Sequence, residues 1–306
     1  MYTPSNEEIM KVKGMGFLID KTTMCHFNGR VLTVNGKLSA EKLSVIAEAS
    51  KKFADGNVAM TTRQTIEIQH IPYENIDPLI EYLAQYDLEI GGTGPKVRPI
   101  VSCKGTTCQY GLIDTFSLSE KIHYTFYKGY HEVKLPHKFK IAVGGCPNNC
   151  VKPDLNDLGV IGQRIPKIDL DKCRGCKVCQ VEKACPIKCA KLVDGKITQP
   201  QSECNHCGRC IGKCPFGAVE EDFVGYKVYV GGRWGKKTAN GKPLTTIFTS
   251  EDEVMNLIES AILFFRDKGQ AGERFADTIA RIGFEETEKM LVSGEMIKRK
   301  DEILAK

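Results

Sequence analysis

Twelve of the 14 cysteines in this chain fall into three sets spaced as metal ligands are spaced, and one set is interrupted by the other two. The outer set is Cys103-x4-Cys108 with Cys146-x3-Cys150. The inner sets are Cys173-x2-Cys176-x2-Cys179 with Cys185-Pro186, and Cys204-x2-Cys207-x2-Cys210-x3-Cys214-Pro215. Any fold of this chain must bring residues 40 positions apart into one ligand sphere while a separate metal-held segment sits between later strands. Disulfides are the other common use of many cysteines, but they crowd short secreted chains. This chain has 306 residues and ligand-like spacings, so the thiols read as reduced and the protein as cytoplasmic.

Each inner run, closed by Cys-Pro, has the spacing that holds a cubane [4Fe–4S] cluster in bacterial ferredoxins. In such paired runs the fourth cysteine ligates the other cluster. That assigns Cys173, Cys176, Cys179 and Cys214 to one cubane, and Cys204, Cys207, Cys210 and Cys185 to the other. Five residues separate Cys179 from Cys185 instead of the usual three, which implies a small loop. Cys189 competes with Cys185 as a ligand, and the proline after Cys185 favours Cys185. Cys189 and Cys25 then read as buried, unligated thiols. Two such clusters carry electrons but bind no substrate.

Charged residues are 26% and hydrophobic ones 42%, as in soluble globular proteins, and the length allows two or more units. The net charge of +5 suits an anionic substrate or an acidic partner and is too small to argue for nucleic acid. The N-terminal MYTPSNEEIMKVKG has no apolar stretch of the signal-peptide kind, so none is expected. The longest notable apolar run, Ala261–Phe265, falls far short of the roughly 20 residues of a membrane span.

Periodicity divides the rest. A helix is predicted over 39–55, capped by Ser39, with Leu43, Ile46, Ala47 and Phe53 on one face and Gly56 at its end. Thr65–Ile71 alternates like a half-buried strand, and 73–86 returns to helical spacing. Together they make a compact α+β unit ending near residue 90. Gly91-Gly92-Thr93-Gly94-Pro95 reads as a turn-rich linker, since no P-loop pattern surrounds it. A second α+β unit follows, with strands at Val97–Val101, Phe139–Val143 and Leu158–Ile161, and a helix at 117–128. After the cysteine runs come a strand at Tyr226–Val230 and helices at 251–267 and 272–292. The predicted domains are therefore 1–90, then 91–165 continued by 222–306, with 166–221 inserted.

Four segments in order carry a resemblance. They are Thr61-Thr62-Arg63-Gln64, Cys103-Lys-Gly-Thr-Thr-Cys108-Gln-Tyr-Gly, Leu135-Pro-His-Lys-Phe-Lys140 and Gly145-Cys146-Pro-Asn-Asn-Cys150. Over residues 20 to 240 the chain resembles the sirohaem-dependent sulfite and nitrite reductases, most of all the anaerobic sulfite reductase type and related small sulfite reductases. The resemblance implies an α+β fold. A ferredoxin-like half domain precedes a sirohaem and [4Fe–4S] domain, and a 2[4Fe–4S] ferredoxin module is inserted in the latter. It also implies that Cys103, Cys108, Cys146 and Cys150 hold a third cluster and that Cys150 bridges it to sirohaem iron. The family pattern has five residues between the first two cysteines. Four stand here, so the loop must be tighter. A tetrahedral zinc site would use the same thiolates, but it leaves the two inner clusters without an acceptor.

Carried over position by position, the resemblance makes Arg98, Lys138 and Lys140 the cations that meet the substrate anion, with Arg30 as a further candidate. It gives Thr61, Arg63 and Thr65 to sirohaem carboxylates, and Arg233, after the Gly231-Gly232 turn, to another. Cations preorganised in a dry pocket stabilise the charge and deliver the protons that oxyanion reduction needs. The other His and Lys residues of 121–137 read as a solvated face.

The implied activity is six-electron reduction of sulfite to sulfide. Nitrite reduction to ammonia on the same scaffold is the alternative. Nitrite-reducing relatives tend to replace the second lysine of the pair, which this chain keeps as Lys140. An electron-transfer protein without sirohaem is the third reading, and Arg63, Lys138 and Lys140 argue against it. No flavin or nicotinamide motif is evident, so the implied donor is a ferredoxin or flavin- and Fe–S-containing subunits. Each motif occurs once where larger relatives carry two fused copies, so a homodimer or larger complex is expected.

Overall fold

The computed structural model describes residues 2–306. The first unit opens with the helix Asn6–Met15, whose Ser5–Glu8 capping box is complete. Its four-stranded antiparallel sheet has the order β1-β2-β4-β3, formed by β1 (Phe17–Ile19), β2 (His26–Val31), β3 (Val58–Met60) and β4 (Ile66–Pro72). The helices Ala40–Phe53 and Ile76–Ala84 complete a core with Phe17, Phe27, Ile66, Ile68, Ile71, Leu79 and Leu83. Ser39 caps the first of these helices, as predicted. Its buried face is Ile46, Ala49, Ser50 and Phe53, an i, i+3, i+4, i+7 stripe, which leaves Leu43 and Ala47 off it and Leu43 46% exposed.

The glycine stretch after this unit is more than a linker. Gly91 and Gly92 are buried in the seam between the units. Gly91 N–H donates to Arg30 O, and Gly92 N–H donates to the Tyr127 hydroxyl at 3.0 Å. A Cβ on Gly91 would stand 2.4 Å from that hydroxyl, so any other residue there would have to displace the buried Tyr127 ring.

The second unit is built on a five-stranded sheet. Its parallel part is β5 (Val101–Ser102), β6 (Ile141–Gly144) and β7 (Leu158–Ile168). After a small hairpin of β8 (Lys191–Val193) and β9 (Lys196–Thr198), β10 (Val219–Val230) returns antiparallel along the whole of β7. β11 (Lys242–Phe248) closes the order β11-β10-β7-β6-β5. Both β7 and β10 run well past the lengths predicted for them. They form a ribbon whose tip, where Ile168 pairs with Val219, carries the inner cysteines. That tip has a core of its own, with Val181, Cys185, Cys189, Ala190, Ile197, Cys204 and Cys210.

The helix Glu251–Lys268, opened by a Ser250–Glu253 capping box, lays Ala261–Phe265 into the main core. Phe265 and Phe139 pack edge-on against Phe275, each burial contributing about 1.5–3 kcal/mol. The predicted 272–292 helix is two helices, Phe275–Ile282 and Phe284–Val292, because Gly283 between them takes φ +99°. The predicted 117–128 helix runs as α-helix over Thr115–Ile122 and continues in π-helical form over His123–Lys128. His123 in this stretch is buried, so the solvated face expected of 121–137 does not include it. Among the described residues no helix is long and apolar enough to cross a membrane.

Candidate active site: a cation cluster and a thiol cluster on one sheet

The parallel strands separate the two kinds of functional side chain. Arg98 precedes β5 and Cys103 follows it. Lys138 and Lys140 precede β6, and Cys146 follows it. Four residues of strand at about 3.3 Å each put at least roughly 13 Å between Lys140 and Cys146. The sequence brings the cations together at one end of the sheet and the thiols together at the other.

At the cation end, Arg98 N–H bonds to Phe139 O, which sets the Arg98 segment beside the Lys138–Lys140 segment. The loop after Cys150 returns to the same end and delivers Asp157, which is wholly buried. Its Oδ2 accepts the Lys140 backbone N–H at 2.9 Å. Its two oxygens accept Arg274 Nη2 at 2.9 and 3.1 Å. Burial pushes the Asp157 carboxyl up, and the Arg274 charge and bond pull it back. Burial lowers Lys140 to about 8, with Arg63 and Lys138 adding repulsion. Burial also lowers Lys138, helped by Arg274 and Arg98. Neither lysine ammonium has a side-chain partner among the described residues, and the Nε atoms of Arg98 and Arg274 are buried without an acceptor. Five cations around one carboxylate, with spare donors, leave this end of the sheet with an excess of positive charge that could bind an anion.

Arg63 reaches this cluster from the first unit. Its Nε and Nη2 donate to Pro99 O, Nη2 also to Ile141 O, and Nη1 to Asn156 Oδ1. Four of its five N–H groups are thus spent on joining the units, and burial lowers it to about 10. Gln64 repeats the join, exchanging two hydrogen bonds with the Ser102 backbone just before Cys103. Thr61 and Thr65 close their own loop, hydroxyl to hydroxyl at 2.7 Å. Arg98 donates to Gly92 O, and burial lowers it to about 10 with Arg30 and Arg274 nearby. Arg30 itself pairs with Glu67 at 3.0 Å, and Arg233 is held by both oxygens of Asp277 at 2.8 and 2.9 Å.

Three residues here escape sequence reasoning. Arg274 and Asp157 are lone charges 117 positions apart, and no local pattern marks either. His137 lies inside the Leu135–Lys140 motif, yet the sequence places it with the solvated face. Its Nδ1 accepts the Lys138 N–H at 2.7 Å, which places the ring proton on Nε2. Burial and the surrounding cations hold His137 below the usual imidazole range.

At the thiol end, the 3₁₀ turn Gly105–Thr107 is the tight loop expected of the shortened Cys103–Cys108 spacing. Gly105 and Gly145 touch back to back: a Cβ on either would come within 2.9 Å of the other's Cα. That contact brings the two cysteine loops together. Gly145 N–H donates to Cys103 Sγ at 3.1 Å. Burial raises the Cys146 thiol, and the nearby Cys103, Cys150 and Cys108 raise it further, so all four sulfurs share one neighbourhood. Among the described residues no group of His, Cys, Asp or Glu closes in tightly enough for a single ion.

The inner sulfurs also gather N–H donors, as cluster thiolates do. Cys173 accepts from Ile197, and Cys204 accepts from His206 at 3.3 Å and Gln199 at 3.2 Å. Cys185 and Cys189 stand 3.7 Å apart, sulfur to sulfur, and Cys189 also meets Cys204. They differ in surroundings. Burial opposes ionisation of Cys185, but the N–H groups of Ala190, Cys189 and Ile187 hold it below the usual thiol range. Burial and the Cys185 contact push Cys189 up to about 12. Cys25, expected to be buried, is half-exposed.

The inner set nearer the outer quartet is the one with Cys204, Cys207 and Cys210. Cys207 and Cys146 line one cleft, closed by Arg209 stacked over Tyr110 at 4.7 Å. Arg164 N–H on the ribbon fixes that loop through His206 O at 2.8 Å. Cys173, Cys176, Cys179 and Cys214 instead surround a hollow lined only by residues of the ribbon tip.

Residues 93–299 match the Nitrite and sulphite reductase 4Fe-4S domain, and residues 26–86 the Nitrite/Sulfite reductase ferredoxin-like half domain. A coenzyme F420-dependent sulfite reductase of Methanocaldococcus jannaschii is 31% identical over 81% of this chain, which spans only 39% of that protein. One subunit of the anaerobic sulfite reductase of Salmonella typhimurium is 31% identical over 76% of this chain and 72% of its own length. A crystal structure of dissimilatory sulfite reductase I superposes with a TM-score of 0.69 over 87% of this chain and 68% of its own, at 22% identity, a likeness of fold.

Proposed function

Since the chain belongs to the sirohaem sulfite and nitrite reductase family, we propose that it reduces sulfite to sulfide. The observation that carries this is the pair of unpartnered, partly buried ammonium groups, Lys138 and Lys140, in a cluster of five cations around Asp157. Converting hydrogensulfite to hydrogen sulfide and three waters takes six electrons and seven protons, so the site must bind an anion and resupply protons repeatedly. Lys140, with its pKa near 8, is charged at neutral pH yet gives up a proton readily. His137, protonated on Nε2, lies beside it to pass on another. Arg98 and Arg274, each with a buried Nε that lacks an acceptor, hold the anion. Lys140, where a neutral residue would suit nitrite, favours sulfite over nitrite.

The thiol end fits a [4Fe–4S] cluster on Cys103, Cys108, Cys146 and Cys150, by its shared sulfur neighbourhood and the Gly145 N–H aimed at Cys103. Cys150, the exposed member, is the one able to reach a second group, sirohaem. Sirohaem, when bound, supplies an open iron position for the anion and a conjugated path for electrons. The one spare N–H of Arg63 and the unpartnered Nε of the partly buried Arg233 suit its carboxylates, and Thr61 and Thr65 keep the Arg63 loop in shape. The ribbon tip is then an inserted ferredoxin domain of two clusters, with the Cys204, Cys207, Cys210 and Cys185 cluster next to the outer one. The other cluster is the entry point for electrons from a ferredoxin or from flavin and Fe–S subunits.

The cations and the thiols sit at opposite ends of β6 and each motif occurs once in the chain, which supports a site completed by a second copy. The test is anaerobic purification followed by absorption spectroscopy, iron and labile-sulfide analysis, and sulfite-dependent oxidation of reduced methyl viologen. The expected result is a sirohaem spectrum, about twelve non-haem irons per chain and sulfide as product. Full cluster loading without sirohaem would make the chain an electron-transfer protein instead. Faster turnover of nitrite to ammonia would reverse the choice of substrate.

A further inference from the structure

The ribbon tip exposes one of its two cysteine sets and buries most of the other. Cys185, Cys204 and Cys210 are buried and only Cys207 of that set is partly exposed, whereas Cys173, Cys176, Cys179 and Cys214 are all partly exposed. Around the exposed set the surface is apolar at its centre: Val178 is 51% and Phe216 48% exposed beside a hollow that Cys176, Cys179 and Cys214 line. Exposed apolar side chains grouped over a reactive centre mark an interface more often than single ones do. The rim is basic. Arg174, Lys177 and Lys213 are exposed and have no acidic partner among the described residues. Lys172 is already offset by Asp169 at 3.4 Å and Glu220 at 4.0 Å, and Asp171, Glu182 and the exposed Asp194, whose neighbour Gly195 packs on Gly175, are the other carboxylates of this tip.

We propose that this face is the docking surface for an acidic one-electron carrier protein, which meets Val178 and Phe216 at its centre and Arg174, Lys177 and Lys213 at its rim. The proposal rests on the reading of the inner cysteines as clusters, and it is independent of what the outer site reduces. Charge complementarity identifies the partner: three unpaired cations around an apolar centre repel a basic carrier and speed the encounter with an acidic one. Small apolar contact with a charged rim is also what a transient electron-transfer encounter uses. Cations needed only to offset the cluster's own charge would have no reason to surround exposed apolar side chains.

The experiment uses the whole reconstituted protein and a reduced, acidic plant-type [2Fe–2S] ferredoxin as probe. Stopped-flow absorbance follows reduction of the protein's clusters, without sulfite, at low and high salt. For the wild type the second-order rate should fall as salt rises. R174E/K177E/K213E should lower the low-salt rate about tenfold or more and remove the fall with salt, while dithionite reduces the clusters as before. R174Q/K177Q/K213Q should lie between, and V178S/F216S should slow transfer with the salt dependence intact. An unchanged ferredoxin rate in fully iron-loaded charge-reversed protein overturns the proposal. So does a charge reversal that only dissociates a homodimer, since the face would then belong to a second copy. Loss of sulfite reduction with normal ferredoxin-driven cluster reduction would count against the proposed function and leave the docking face standing.

Discussion

Arg274 Nη2 stands 2.9 Å from Oδ1 and 3.1 Å from Oδ2 of Asp157, and Oδ2 also receives the Lys140 N–H. The ion pair therefore acts on Lys140 with both signs at once. Asp157 raises the lysine and Arg274 lowers it, under a larger lowering by burial and by Arg63.

A pH profile separates the two partners. Lys140 is charged below about pH 8 and neutral above it, so sulfite turnover should have an alkaline limb near pH 8. Asp157→Asn removes the one raising charge and should move the limb to lower pH. Arg274→Gln removes a lowering charge, frees Asp157 to face Lys140, and should move it to higher pH. Stability runs the other way. The folded value lies below the ordinary 10.5, so the unfolded chain holds more protons between about pH 8 and 10.5, and the Lys140 contribution to stability rises with pH there. Shifts of the same sign in the two variants would show that Lys140 does not set the limb.

Lys140→Gln keeps much of the side chain's length and removes its charge. A cation lost from a water-poor site costs on the order of 2–4 kcal/mol of transition-state stabilisation, or roughly 10²–10³ in kcat. Sirohaem content should stay near that of the wild type. Turnover close to normal with sirohaem retained would return Lys140 to the surface charges.

The cysteine sets are legible in the sequence because ligand spacing is local: each CxxCxxC run closes its own loop, whatever the rest of the chain does. The helix Ala40–Phe53 is legible for the same reason, through Ser39 and a 3.6-residue stripe. The helix Asn6–Met15 lies outside the predicted elements although its Ser5-x-x-Glu8 signal stands in the sequence. The cation cluster is readable only in part. Lys138 and Lys140 lie inside a motif and Arg98 just before one, but Arg274 gains its meaning from the turn that seats it on Asp157, a contact no local pattern encodes. The division of cations and thiols between the two ends of β6 is a property of strand direction. Lys140 and Cys146 are near neighbours in sequence, yet they end up far apart because the strand between them is extended.

Cys185 and Cys189 make a direct comparison. Only Cys185 is surrounded by N–H groups that suit a cluster thiolate. Cys185→Ser should therefore lose one cluster, about four irons per chain, while Cys189→Ala should keep the full count. Equal loss in both, or loss only in the Cys189 variant, would transfer the ligand role to Cys189.

The separation of Lys140 from Cys146 also sets how the assembly is tested. If a second copy completes each site, the cations of one protomer face the thiol-held cofactor of its partner, and a two-fold dimer makes two such sites. A protomer with Cys150→Ser lacks the thiol half, and one with Lys138→Gln and Lys140→Gln lacks the cation half. Each variant alone should be inactive. In a mixed dimer, one site combines both defects and the other has neither, so exchange of protomers should restore activity to about half that of a wild-type dimer at saturating heterodimer. The measurement is sulfite-dependent oxidation of methyl viologen after exchange, with heterodimers quantified by differently tagged protomers. Heterodimers formed without any recovery would mean that each chain brings its own cations and thiols together.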